Sequence, residues 1–378
     1  MGVFTTLLGT QLPGQADRAV KRDTPFTLVL GGGGMKGLAH IGVLQALLER
    51  GHRPTRIIGS SVGALVGAAW AGGMGIAKLR EIALSLRRKE VFAVAHADMA
   101  LKRMRSPALF KREPLAHLIQ RTVGDLTFPQ LDPPVIVNTV DLNSGMQVFW
   151  GLPGLDDIRV ADAVFASCAL PGYFPPHEIG GRFFVDGAVV ANVPFVASRA
   201  LGPELIVAVD VSASSVLTAD AQDEGFAGVF ARATEILMQT LLEQRVRTWT
   251  TPPVYYIQPR VEHVTMFSFD HLREEVEEGY RATAAALDRD DWPLPGDVGI
   301  FPKRRVMVRV ERERCIGCGA CLVHGPQGMF VLDSERKAVV TQPDQEWSPM
   351  DGGYIRHCPT YAIIARPAQQ ENTMLRSG

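Results

Sequence analysis

The run LVLGGGGMKGLAHIGVL, Leu28 to Leu44, joins a strand-like segment to a helix-like one through four glycines. FTLVL (26–30) reads as a buried strand, and Leu38, Ile41, Leu44 and Leu48 recur at helical spacing. A loop of this kind aims backbone N–H groups and the positive end of a helix at something negative. A phosphate and a short-lived oxyanion both qualify, and the surrounding sequence separates them.

Gly32-x-Gly34-x-x-Gly37 matches the dinucleotide fingerprint. That fingerprint also requires an acidic residue about 20 positions on, at the end of the second strand, to hold the ribose. Here the second strand, RII (56–58), runs into Gly59, Ser60 and Ser61 with no acid. What stands there is Gly59-x-Ser61-x-Gly63, the pattern of a nucleophile elbow ahead of the small-residue helix SVGALVGAAWAGG. A serine nucleophile creates an oxyanion, and each donor fixed in advance for it is worth roughly 100- to 1000-fold in rate. The glycine loop on the neighbouring strand would supply such donors, so the two glycine features explain one another. The plain alternative is a pair of tight turns without chemistry.

The serine needs a proton acceptor. FFVDGAVVANVP puts Asp186 at the end of an apolar strand, at the sheet edge where open α/β sheets hold their sites. An isolated Asp, at about 3.9, is a weak base, and burial against the serine would strengthen it. Asp-Gly is also a common turn. A Ser–His–Asp triad is the rival arrangement. Among nine histidines, His40 reads as a packed or capping residue, and His263 and His271 follow Asp186 in the order of a triad.

The glycine loop GGGGMKG, the elbow GSSVG and the DGA motif, in that order, resemble the patatin-like phospholipase family. ADAVFASCALPGYFPP (161–176) and DGAVVANVPFVASRALG (186–202) extend the likeness over about residues 25–290, nearest the bacterial group related to neuropathy target esterase. The resemblance implies a three-layer α/β/α sandwich and a Ser–Asp dyad without histidine. Ser61 is then the nucleophile, Asp186 its base, Gly59 and Gly63 the elbow glycines, and Gly32, Gly33 and Gly34 the oxyanion donors. Lys36 stands where many members carry Arg and keeps the local positive charge. Cys168 falls where small residues are usual and reads as packing. The implied substrates are phospholipids, lysophospholipids or other lipid esters.

Farther along, PVIVNTV (134–140), RFFVD (182–186) and LIVAVDV (205–211) read as strands, with helical stretches near 157–168, 226–248 and 271–288. Strands alternating with helices predict a parallel-rich sheet covered on both faces. Residues 1–24 read as a lead-in, 25–290 as the hydrolase domain, 291–303 as a Pro- and Gly-rich linker, and 368–378 as a polar tail. The 378 residues, 46% hydrophobic and 21% charged, suit two globular domains. A net charge of −1 gives no basic field for nucleic acid. The N-terminal segment lacks a signal-peptide pattern, and no apolar run reaches about 18 residues, so a cytoplasmic location is expected. RRKEVFAVAHADMALKRMRSPALFKR (87–112) mixes cations with apolar residues. It reads either as a solvated face or as a mobile cap meeting anionic headgroups, through Arg87, Arg88, Lys102 and Arg103.

Four of the five cysteines lie beyond Arg314. Cys315, Cys318 and Cys321 at two-residue gaps, with Cys358-Pro far downstream, have the ligand spacing of a [4Fe–4S] ferredoxin. Zinc sites more often use two separated Cys-x-x-Cys pairs. Gly325 stands where a two-cluster ferredoxin has a further Cys, so one cluster on these four cysteines is expected. RRVMVRVE alternates like an edge strand, with Val306, Val308 and Val310 on one face, and GMFVLD and AIIA read as short strands. Residues 304–367 thus resemble a single-cluster ferredoxin-type α+β domain. The cluster would pass electrons to a redox partner, sense oxidants or staple a small domain. Two rival functions follow: a dinucleotide enzyme feeding the cluster, and a silent lipid-binding adaptor.

Overall fold

The computed structural model describes residues 25–95, 108–202, 205–212, 225–247, 249, 252, 254–261, 263–288, 304–347, 354–355 and 357–367. They fall into two compact units. One takes residues up to Arg245 together with Val254–Pro293; the other takes Val246–Pro253 and the chain from Leu294 onward.

In the first unit, β1 (Thr27–Leu30) passes through the glycine loop and a 3-10 turn (Gly34–Leu38) into α1 (Ala39–Glu49). β2 (Arg56–Ser60), α2 (Val62–Ala71), α3 (Ile76–Ser85) and α4 (Arg112–Val123) follow. Next come β3 (Val135–Asp141), β4 (Gln147–Trp150), α5 (Val160–Cys168), β5 (His177–Ile179), β6 (Arg182–Asp186) and the short α6 (Ala188–Ala191). β7 (Ile206–Val209), α7 (Gly225–Arg247), β8 (Val254–Ile257) and α8 (Leu272–Leu287) complete it.

These strands form one eight-stranded sheet in the order β5-β6-β3-β2-β1-β7-β8, with β4 also paired to β3. The run from β3 to β8 is parallel, while β4, β5 and β6 add antiparallel pairs at one side. The sheet is therefore mixed. Every residue of β1, β3, β7 and β8 is buried, so the central strands are covered on both faces. Phe26, Leu28, Leu30, Ile57 and Ile58 are among the fully buried large side chains. Each contributes roughly 1.5–3 kcal/mol relative to exposure.

Two glycines let α1 and α8 touch backbone to backbone. A Cβ on Gly42 would lie 1.9 Å from the Val276 carbonyl oxygen, and one on Gly279 1.9 Å from that of Ala39. This contact sets the N-terminal end of α8 beside the 3-10 turn that carries the glycine loop into α1.

The second unit holds β9 (Arg304–Val310), α9 (Ala320–His324), β10 (Phe330–Leu332), β11 (Ala338–Val340), β12 (Asp344–Trp347) and β13 (Ile363–Pro367). β9 is the middle strand of the antiparallel order β12-β9-β13, which corrects its reading as an edge. Alternation reports only that one face is buried, which central and edge strands of an antiparallel sheet share. Val308 is the buried member of that face and joins a small core with Phe330, Tyr354 and Ile363.

Candidate active site and a four-cysteine cavity

Strand register sets the site. Leu30 pairs with Gly59 on one side and Val209 on the other, and Ser60 pairs with Asn138. The chain runs β1, β2, β3 in one direction and β7, β8 in the other, so a crevice opens beyond the end of β1. β6, antiparallel to β3, brings Asp186 opposite Thr139 at the same edge.

Ser61 occupies the sharp turn between β2 and α2 at φ 53°, ψ −127°, a conformation costly for a residue with a side chain. The glycines around it leave room. A Cβ on Gly59 would sit 2.4 Å from the Ala64 Cα, and one on Gly63 2.3 Å from the Leu30 oxygen. A Cβ on Gly37 would fall 1.8 Å from Val62 Cγ1. The Ser61 N–H donates to Ser167 Oγ (2.8 Å), whose hydroxyl donates to the Asn138 carbonyl (2.7 Å).

The Asp186 carboxylate and Ser61 line the same cavity, and the carboxylate accepts the Ala188 N–H at 2.9 Å. Asp186 is 2% exposed. Burial pushes its carboxyl up to about 7, against the lowering effect of the Ala188 N–H and, after it, of the neighbouring Ser61. Gly187 allows this approach, since a Cβ there would lie 2.4 Å from the Asn138 side chain.

The glycine loop divides its donors. The Gly32 N–H is engaged by the Asn192 carbonyl at 3.2 Å, which corrects its assignment as a free donor. The chain after β6 runs beside the loop and takes that N–H into its own hydrogen bonding. Met35 N–H goes to the Met266 carbonyl (2.9 Å), and no backbone carbonyl among the described residues takes the Gly33 or Gly34 N–H. Both glycines line the cavity. Lys36 is buried and also lines it, within charge range of the buried Glu275. Burial raises the Glu275 carboxyl to about 8, with Lys36 opposing the shift. His40 is fully buried and its Nε2 contacts the Gly31 carbonyl at 2.7 Å; burial lowers it to about 4, so it stays neutral and donates.

Cys168 lies beside the pair. Burial, and after it the charge of Asp186, pushes its thiol up, so it remains a protonated packing residue. Asn192 was not singled out from the sequence. It is 3% exposed and lines the cavity, and neither side-chain polar atom has a protein partner. The signal available in the sequence was an amide following DGA inside an otherwise apolar run.

The cavity wall is apolar, with Leu65, Leu115, Leu118 and Met238 among its residues. Phe92 anchors an aromatic cluster in that wall, 5.1 Å from Phe110, 5.9 Å from Phe174 and 5.2 Å from Phe267 between ring centres. Leu86, Val91 and Phe92 turn into the cavity while Arg87, Arg88 and Lys89 are exposed. Lys102 and Arg103 lie outside the described residues. No histidine stands among the described cavity-lining residues. His263 and His271 instead share Glu274, which corrects their candidacy for a triad.

In the second unit Cys315, Cys318, Cys321 and Cys358 line one small cavity, none of them in a disulfide. Backbone N–H groups point at two of the sulfurs, Ala338 to Cys315 (3.4 Å) and Ala362 to Cys358 (3.3 Å). Gly317 and Gly319, at φ 70° and 75°, make the turns between the ligand-spaced cysteines. Four thiols converging on one apolar pocket, with N–H donors to sulfur, fit a cubane cluster.

Residues 28–197 match the profile of the patatin-like phospholipase family. An uncharacterised NTE family protein of Mycobacterium bovis is 32% identical over 187 residues, 50% of this chain and 49% of that one. Lysophospholipase NTE1 of Saccharomyces cerevisiae is 26% identical over 315 residues, 71% of this chain and 17% of its own length. The chain thus spans half or less of these relatives. The solved structure of VipD from Legionella pneumophila aligns with 70% of this chain and 66% of its own, at TM-score 0.39 and 16% identity. In sequence, residues 28–197 are therefore similar to the patatin-like phospholipase family.

Proposed function

We propose that this protein is a serine acyl hydrolase acting on lipid esters. The observation that carries the reading is one apolar cavity lined together by Ser61 on its strained turn, the buried Asp186 carboxylate and the glycine loop. Ser61 Oγ attacks the ester carbonyl, and Asp186 takes its proton. The carbonyl oxygen becomes an oxyanion facing the Gly33 and Gly34 N–H groups. The leaving alcohol departs with a proton returned from Asp186. Water, activated by the same carboxylate, then releases the fatty acid from Ser61. The Asn192 amide, with no protein partner, offers one more donor and acceptor to the ester or its water. The apolar wall favours a hydrocarbon chain over a nucleotide, and the named relative NTE1 is a lysophospholipase. Phospholipids and lysophospholipids are the substrate class we assign.

Cys315, Cys318, Cys321 and Cys358 would hold one [4Fe–4S] cluster. Such a group supplies one-electron transfer when bound, and a redox partner protein is part of that reading. Ester hydrolysis itself moves no electrons.

The test is fluorophosphonate labelling of the anaerobically purified chain. Wild type should label, Ser61→Ala should not, and Asp186→Asn should label at least about 100-fold more slowly. Folded wild type that fails to label would overturn the hydrolase reading.

A further inference from the structure

Outside the active site, His263, His271 and Glu274 converge. His263 Nε2 lies 3.0 Å from Glu274 Oε1, and His271 Nδ1 lies 2.9 Å from Glu274 Oε2. The three donor atoms all fall within 4.8 Å of one another. The two imidazole rings stand 5.6 Å apart at 84°, so they approach the carboxylate from different directions. We propose that these three side chains form a binding site for a divalent transition ion of the zinc type.

The chemistry matches. Zinc takes imidazole nitrogen and carboxylate oxygen at about 2.0–2.2 Å, which requires donors within roughly 4 Å of each other. His263 and Glu274 are exposed and His271 is partly so, which leaves the side chains free to close the remaining gap by rotation. Two imidazoles select zinc-like ions over calcium or magnesium, which prefer oxygen alone. Three protein ligands leave a fourth position for water. As plain ion pairs the same contacts are exposed to water and contribute little. That is too little to fix a loop, whereas a shared ion would.

The loop in question matters. His263 follows β8, His271 caps α8, and Glu274 lies in the first turn of α8. Between the two histidines, Met266 accepts the Met35 N–H of the glycine loop, and Met266 and Phe267 line the cavity. A Cβ on Gly34 would meet the Met266 oxygen at 2.4 Å. Zinc at this clip would stiffen the wall against which the glycine loop rests. That consequence depends on the hydrolase reading; the metal site itself does not.

The test is equilibrium dialysis of the full chain against zinc with a competing chelator. Wild type, His263→Ala/His271→Ala and Glu274→Gln are compared as identical anaerobic preparations, so that metal held by the cysteines cancels. Wild type should retain about one more zinc per chain than the double variant, and Glu274→Gln should bind about tenfold more weakly or worse. Zinc should slow amide exchange across Met266–Phe269 in wild type and leave the double variant unchanged. Equal zinc content and affinity in wild type and the double variant would overturn the site. Ser61 labelling in the same samples reports the hydrolase separately: a zinc difference without labelling supports the clip and sinks only the hydrolase.

Discussion

Asp186 carries two opposed consequences of one burial. A carboxyl near 7 is a far better base than one at about 3.9, and it must be ionised to work. The rate of fluorophosphonate labelling should therefore rise with pH, reach half its maximum near 7 and level off above. Stability runs the other way. The folded chain keeps a proton that the unfolded chain has released, so stability falls as pH rises from about 4 to about 7. Asp186→Asn removes that loss, on the order of a few kcal/mol. Thermal unfolding near pH 8 should show Asp186→Asn more stable than wild type, with the gap closing toward pH 5. An equal or lower melting temperature at both would refute the assigned burial. Asn192→Ala should lower labelling about tenfold and leave thermal stability near that of wild type, because the amide it removes bonds to nothing in the protein.

Helix α8 supports the glycine loop from behind through glycine contacts with α1. Adding a methyl at Gly42 or Gly279 forces the two backbones apart. Either alanine substitution should destabilise the chain by about 1–3 kcal/mol, read by urea unfolding. It should also slow labelling in the native state, because Glu275 on α8 faces Lys36 in the loop. The segment Leu86–Phe92 presents cations outward and apolar residues to the cavity. Arg87→Glu/Arg88→Glu should weaken co-sedimentation with anionic vesicles several-fold; unchanged binding would remove the segment from any role at a lipid surface.

Across the molecule, the two glycine features were legible because each combines a strand, a turn whose glycines have no room for a side chain, and a helix. The register that brings Ser61 to Asp186 was not, since pairing two strands apart depends on topology. Nor was the fate of the Gly32 N–H, which rests on the path of the chain after β6. β4 and β5 are short and mix polar with apolar residues, and β8, VYYI, has no glycine motif beside it to mark it as a strand. α3 and α4 escaped notice among the charged residues that flank them. Ser167, which holds the Ser61 N–H, lies inside the family-like stretch 161–176, but no spacing marks it out there. For the second unit, the anaerobic protein should contain about four iron and four sulfide per chain, and Cys321→Ser should lose them. Dithionite should leave the labelling rate of Ser61 unchanged, since acyl transfer neither gains nor loses electrons.

Gly37 and Val62 occupy the same space: the loop residue lacks a side chain where the residue after Ser61 has one. Heredity would treat the two positions as a single locus. A lineage that acquires alanine at position 37 is trapped until position 62 shrinks, and the reverse order, Val62 first, is the passable route. A suppressor selection begun from Gly37→Ala should return glycine or alanine at Val62 ahead of changes elsewhere in the sheet.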